Sequence, residues 1–370
     1  MSGALRVAVT VEQCWHRVPG GTAWSVLELV AALDRRADVD VLGVAARHAH
    51  PPPEPWAPPV ALRHLPLPRL LLYEAWHGLR WPAVERATGG IDVVHATAVA
   101  VPPSRAPLVV TVHDLAFLVD PSQATRHGNR FFRRGLALAR ERARLVLCPS
   151  VATRDECLAA GFGADRLRVV PWGVTAEPAA PPMVAEVCRR HGLDRPYLLF
   201  TGTVEPRKNL PRLLAAFAAL GRDDIDLVLV GPEGWNEDLA ALLAGLGPAR
   251  AQVRALGFVP RDDLAPLYAG AAAFCYPSLR EGFGLPVLEA MAQGTAVVTS
   301  LGTATEEVAG DAALLVDPLD TDAIAAALAR VLHDEGLRSD LARRGAERAA
   351  TYTWERTAEL TVAAYREAVA

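Results

Sequence analysis

Short apolar runs recur along the chain at 7–11, 39–44, 93–95, 108–112 and 145–149, then at 197–201, 227–230, 253–256, 272–276, 296–299 and 313–316. Each has the length of a buried strand. Most are separated by stretches with apolar residues at helical spacing. Continuous apolar runs suit strands covered on both faces, and their alternation with helices predicts βα units and parallel sheets. Two such sets predict an α/β protein with two Rossmann-like, doubly wound domains. The first set ends near residue 173. Residues 174–195 read as a linker, because the proline-rich stretch 176–182 is expected to form neither a helix nor a central strand. The second domain spans 196–352. The last stretch, 353–370, reads as an amphipathic helix with Trp354, Leu360 and Tyr365 available for packing. Residues 51–68 contain eight prolines and read as an extended surface loop.

Composition narrows the class. At 51% hydrophobic and 22% charged residues the chain is no disordered segment. No stretch reaches the ~18 apolar residues of a membrane span. The run 5–11 reads as a first strand rather than a secretory signal, so a cytoplasmic enzyme is expected. The five cysteines are scattered, with no CxxC pair, which supports neither a disulfide framework nor a zinc site. Residues 1–173 carry 20 arginines against 15 acids, a net of +5, and residues 174–370 a net of −9. That falls short of a nucleic-acid footprint. Of 38 basic residues only Lys208 is a lysine, which marks a place where a compact ammonium matters.

Two segments carry the chemistry. In YPSLREGFGLPVLEAMA (276–292), Glu281 and Glu289 stand eight apart around a glycine-bearing loop, with Pro286 set to open a helix. Glycines let amides approach a ligand, and a helix N-terminus offers unpaired donors to an anion. Carboxylates suit sugar hydroxyls, which donate to them. Together these features fit a sugar nucleotide. In TGTVEPRKNL (201–210), Arg207 and Lys208 lie between a strand end and a helix expected over 210–220, where open α/β sheets bind ligands. Adjacent cations there suit a diphosphate.

These segments resemble the retaining GT-B glycosyltransferases of family 4. PSLREGFGLPVLEAMA is similar to that family's E-x7-E signature and GTVEPRKNL to its Arg-Lys phosphate motif, with a mannosyltransferase-like wording. The resemblance implies two Rossmann-like domains facing a central cleft, with the last helix crossing back to the first domain. It implies that Glu289 binds the donor ribose and Glu281 sugar hydroxyls, with the amides of Phe283, Gly284 and Leu285 near the diphosphate. Gly202 lies on the donor side, Phe258 and Val259 near the base, and Arg207 and Lys208 stabilise the leaving group. In the first half, Pro19-Gly20-Gly21-Thr22 opens a helix expected over 23–33 and resembles the family's N-terminal Gly-Gly loop. His113, ending a strand, corresponds to the family histidine that meets the donor sugar. Asp114 is expected to orient His113 or contact acceptor, and His95 is a further cleft candidate.

The implied activity moves a hexose, with mannose from GDP-mannose as the favoured donor, to a glycan, lipid-linked or small-molecule acceptor. No cofactor and no metal are assigned. The Asp pairs 38/40, 224/226 and 320/322 share no loop with these motifs. The segment 126–144 is rich in arginine with interleaved Phe131 and Phe132. It reads either as a solvated basic face or as a peripheral contact with the inner membrane surface. The rival readings are an epimerase-like GT-B enzyme, a phosphorylase, an NAD-dependent dehydrogenase and a non-catalytic sugar-nucleotide binding protein. The dehydrogenase lacks G-x-G-x-x-G.

Overall fold

The computed structural model describes residues 4–16, 20–121, 125–234 and 236–370. It divides the chain into two compact units, one of Met1–Gly173 with Trp354–Ala370, the other of Val174–Thr353.

Among the described residues the first unit carries a seven-stranded parallel sheet. Its strands are β1 (Leu5–Thr10), β2 (Val39–Ala45), β3 (Ala61–His64), β4 (Val93–Ala96), β5 (Leu108–Thr111), β6 (Leu145–Cys148) and β7 (Leu167–Val169), in the order β3-β2-β1-β4-β5-β6-β7. Side chains alternate across the sheet. Val7 and Val9 enter one core with the helix Gly20–Asp34, while Ala8 enters the other with Leu72, Trp76 and Leu136. The first core also takes Trp354, Ala358, Val362 and Tyr365 from the helix Trp354–Val369. Their spacing forms the single apolar stripe of a docked helix.

The second unit carries six parallel strands: β8 (Tyr197–Thr201), β9 (Asp226–Val230), β10 (Val253–Gly257), β11 (Ala273–Tyr276), β12 (Val297–Ser300) and β13 (Leu314–Val316). Their order is β10-β9-β8-β11-β12-β13. In both sheets the order of strand addition reverses once, at β1/β4 and at β8/β11. Ligands of open α/β sheets bind beyond the strand C-termini at such switch points.

Three expectations need correction. The proline-rich stretch 51–68 is not all loop, because Ala61–His64 pairs with β2 as a short edge strand. It is four residues long and largely exposed, and prolines flank it without entering the ladder. The linker is not a free spacer either. Pro181 and Pro182 open the helix Pro181–Arg190, which belongs to the second unit. Proline lacks only an N–H that the first helical turn leaves unpaired anyway. Finally, the first helix starts at Gly20 rather than 23. No helix among the described residues is long and apolar enough to cross a membrane.

Candidate active site

The second sheet's switch point builds a dense charged cluster. After β8 the chain turns at Gly202, whose φ is +153°. A side chain there would start 3.6 Å from the Lys208 stem. A short 3-10 turn, Pro206–Lys208, follows. Asn209, at φ +61°, then redirects the chain into the helix Leu210–Ala219. Its buried amide donates to the carbonyls of Pro277 (2.9 Å) and Pro318 (2.6 Å). Leu279 N donates to Arg207 O at 2.7 Å, and Ser278 Oγ lies 2.9 Å from the same carbonyl. The loops after β8 and β11, 73 residues apart at their charged ends, are thereby stitched together.

Glu281 is the hub. Its Oε1 receives Lys208 Nζ (2.7 Å), Tyr276 OH (2.9 Å) and Ser278 Oγ (2.6 Å), and its Oε2 receives Arg207 NH1 (2.8 Å). Arg207 Nε also meets the buried Glu205 at 2.7 Å. Lys208 donates to Tyr276 OH and stands 4.9 Å from the Tyr276 ring centre. Burial alone would raise the Glu281 carboxyl, but Arg207 and then Lys208 outweigh it and hold it at about 2. Burial, with Arg207, pushes the Lys208 ammonium below its usual value. Burial, with Glu281, pushes the Tyr276 hydroxyl well up, so it stays a donor.

The sequence reading kept Glu281 and the Arg-Lys pair apart, one for hydroxyls and one for phosphate. The structure joins them. A carboxylate oxygen accepts about two hydrogen bonds, and Oε1 already takes three. In this state Glu281 positions the two cations rather than standing open to a sugar.

Glu289 lies one turn into the helix Leu285–Ala292. Its Oε1 meets Arg261 NH2 at 2.6 Å and its Oε2 accepts from Tyr268 OH at 3.1 Å. Gly284 caps that helix at φ +108°, where a Cβ would meet Thr305 Cγ2 at 2.9 Å. Only glycine suits both the angle and the space. The Phe283 and Leu285 side chains are buried, so these residues can face a ligand only through their amides; of the next two residues Pro286 carries no N–H and Val287 N already bonds Gly284 O at 3.0 Å. After β10 the expected pair splits, Phe258 being 64% exposed while Val259 is buried in the core.

The first unit places His113 just after β5, beside its own switch point. The His113 Nε2 lies 2.6 Å from Thr97 O, the residue after β4. A carbonyl only accepts, so Nε2 carries the proton. Nδ1 is shielded and without a hydrogen-bond partner among the described residues, a bare acceptor. Burial pushes the His113 ring below its usual value, which favours that neutral form. Asp114 does not orient the ring. Its Oδ1 accepts from Ala116 N at 3.0 Å and shapes the next turn. His95 is a correction. It is fully buried, with Nδ1 bonded to Tyr365 OH and Nε2 to Thr111 Oγ1, both at 2.7 Å. With both nitrogens bonded to core side chains, it fastens the last helix to the sheet. Gly20 and Gly21 open the first helix with empty space where side chains would stand. Pro19 lies outside the described residues.

Sequence reasoning missed Glu205, Tyr276, Ser278 and Asn209, although each stands within the two motifs. It missed Arg261 and Tyr268 altogether. They lie seven apart on one helix face, but only a long-range contact pairs them with Glu289. The Asp pairs are structural: Asp38 with Arg36, Asp224 with Arg222, and Asp320 as a helix cap.

Residues 19–178 match the family described as Glycosyltransferase Family 4, and residues 189–348 match Glycosyl transferases group 1. O-antigen chain mannosyltransferase B of Escherichia coli is 36% identical over 265 residues, 70% of each chain. D-inositol 3-phosphate glycosyltransferase of Acidothermus cellulolyticus is 34% identical over 397 residues, 95% of this chain and 88% of that one. Among solved structures, Anabaena HepE in complex with UDP and glucose aligns with a TM-score of 0.77 at 18% identity, covering 98% of this chain and all of that one. WaaG, a glycosyltransferase of lipopolysaccharide biosynthesis, aligns at 0.73 with 19% identity, covering 97% and 98%. The fold is GT-B, and the protein is an enzyme that transfers sugar. The chain belongs to the family 4 glycosyltransferases.

Proposed function

We propose that the enzyme moves a hexose from a nucleoside diphosphate sugar to an acceptor hydroxyl with retention of anomeric configuration. Mannose from GDP-mannose is the favoured donor. The observation that carries this reading is the Arg207–Lys208–Glu281 cluster at the second sheet's switch point. The sugar–phosphate bond breaks as the acceptor oxygen bonds to the same face of the anomeric carbon. The leaving phosphate takes the acceptor proton. Charge grows on the diphosphate as it leaves, and Arg207 and Lys208 are already held in place to meet it. Preorganised charge needs no reorganisation at the moment of reaction. Glu289, beside Arg261 and Tyr268, would take the ribose hydroxyls. The exposed Phe258 ring would lie against the base, and the Phe283, Gly284 and Leu285 amides would face the diphosphate, as Gly20 and Gly21 would in the first unit. The His113 Nδ1 would accept from a sugar hydroxyl. The sugar nucleotide is a co-substrate, and the reading assigns no cofactor or metal. The relatives' names favour mannose, and the O-antigen chain in one of them favours a glycan acceptor.

The same reading puts the enzyme in the cytoplasm with a peripheral membrane contact. The helix Arg126–Arg142 supplies basic side chains. The neighbouring helix Arg69–Gly78 exposes Leu70 and Leu71, at 68% and 61%. Basic and apolar side chains together suit an anionic bilayer surface.

The test is a thermal-shift screen with GDP, UDP, ADP and TDP, with and without EDTA. Ligand at 100 times its Kd adds about 2.7 kcal/mol. A shift with one nucleotide that persists in EDTA is expected. Absence of a shift with all four, together with normal turnover in Lys208→Ala, overturns the reading. Loss of one preplaced cation should instead cut turnover about 10²–10³-fold.

A further inference from the structure

The edge of the first sheet opposite His113 is built differently. There an open cavity of about 870 Å³ is lined by Arg80, Arg105, Arg142, Arg144 and Arg166, with Ser104. Among the described residues none of its walls is acidic. Arg105, Arg142 with Arg144, and Arg166 stand just before β5, β6 and β7 in the chain, so they gather at the strand N-termini, and Arg80 joins them from the segment after the helix Arg69–Gly78. His113 lies past the other end of β5, roughly 15 Å away at ~3.3 Å per strand residue.

Two of the five have evident structural duties. Arg80, at φ +52°, bonds the carbonyls of Trp76 (3.0 Å), Val101 (2.8 Å) and Pro102 (2.9 Å). Arg166 bonds Arg140 O at 2.9 Å, at the end of the basic helix. These carbonyls fix the two guanidinium groups without cancelling their charge. Arg142 pairs with Glu141 at 2.8 Å. Arg105 and Arg144 are exposed, and neither guanidinium has a hydrogen bond or ion pair among the described residues. The nearby acids are committed elsewhere. Glu85 Oε1 accepts from Ser104 Oγ and from Arg105 N, and Glu367 pairs with Arg168. Burial, with the neighbouring Arg142, pushes the Arg80 guanidinium below its usual value. Burial is the larger cause, the like charge of Arg142 adds to it, and Glu141 opposes both without reversing the direction.

We propose that this cavity binds a small soluble anion bearing two or more phosphate groups. Guanidinium forks grip phosphate oxygens in pairs, and fixed forks lose little entropy on doing so. The volume lies within the range of small-molecule sites. A cleft lined by one sign of charge also concentrates counter-ions from solution. The site is separate from the donor cations of the second unit, and the inference does not rest on the donor reading.

The test is isothermal titration of the full chain with inorganic tripolyphosphate. Donor-site cations could also take this probe, so the titration is run on Arg207→Ala/Lys208→Ala. Binding should persist there. Adding Arg105→Ala/Arg144→Ala should raise the Kd at least tenfold, since one charge-assisted hydrogen bond carries about that factor. Arg105→Gln alone, at an exposed position, should weaken binding severalfold and guards against a folding defect in the larger variant. Equal Kd values with and without Arg105 and Arg144 overturn the proposal. So does binding to phosphatidylglycerol vesicles that depends on these two arginines while tripolyphosphate gives no heat.

Discussion

Glu281→Gln tests the physical core of the site with almost no change of shape. The side chain is 8% exposed and its carboxyl sits at about 2, against an ordinary 4.5. At ~1.4 kcal/mol per pH unit, that shift contributes about 3 kcal/mol of stability at neutral pH. Breaking a buried pair from one side costs roughly 3–5 kcal/mol by an independent route. The partners do not gain equally. The Glu281–Lys208 attraction is the same for both, but burial and Arg207 outweigh it at Lys208 and hold that ammonium below its usual value. A carboxyl held low contributes fully above its unfolded value and loses its share as pH falls toward the folded one. The gap between wild type and variant should therefore be about 3 kcal/mol at pH 7 and about 2 at pH 3.5. Denaturant unfolding at both pH values measures it. By calorimetry at pH 7, the melting of the Val174–Thr353 unit should fall by about 6–12 °C. Glu281→Gln/Lys208→Met should lose less than the two single changes combined, by at least about 0.5 kcal/mol. A melting temperature within a degree of wild type, or strict additivity, would refute the account.

Three further outcomes follow from the geometry. His95 is held neutral, its pKa pushed down to about 3 by burial, so folding opposes its protonation. Its share of stability is complete above an unfolded value near 6.5 and should shrink by about 2 kcal/mol by pH 5. His95→Gln should flatten that part of the first unit's acid-unfolding curve, and an unchanged slope would count against it. Glu289→Gln should raise the nucleoside diphosphate Kd about tenfold or more, as hydrogen bonds to a charged group imply; titration calorimetry with an unchanged Kd would remove Glu289 from the site. Lys208→Arg keeps the charge but overfills a closed space. It should cost roughly 1–3 kcal/mol and should not restore activity lost in Lys208→Ala; wild-type turnover would contradict this.

The pattern of apolar runs made eleven of the strands legible, nine of them interior strands, which must be apolar throughout when covered on both faces, and two, β10 and β13, at an edge. The two it missed, Ala61–His64 and Leu167–Val169, are short edge strands with part of their surface in water. Neither carries a continuous apolar signal. The site was legible as motifs but not as a circuit. Arg207, Lys208, Glu281 and Glu289 announced themselves by spacing, whereas the bonds joining Glu281 to Lys208 cross 73 residues of chain. His95 shows the opposite failure. A histidine ending a strand looks the same in sequence whether it faces a ligand or the interior. Only the Tyr365 hydroxyl, 270 residues away, decides between them.

The single lysine gains a meaning that composition could not supply. Elsewhere a cation is an arginine, and at exposed pairs such as Arg343 with Glu347 the choice matters little. At 208 the side chain passes beside Gly202, lies over the Tyr276 ring, and ends between the Tyr276 hydroxyl and Glu281. That pocket offers acceptors within the reach of one ammonium. A guanidinium brings five donors in a rigid plane, and buried donors without partners are costly. An ammonium that is charged, buried and already oriented is also what a departing diphosphate requires. The constraint that excludes arginine at this position and the chemistry proposed for the site therefore come from the same few ångströms.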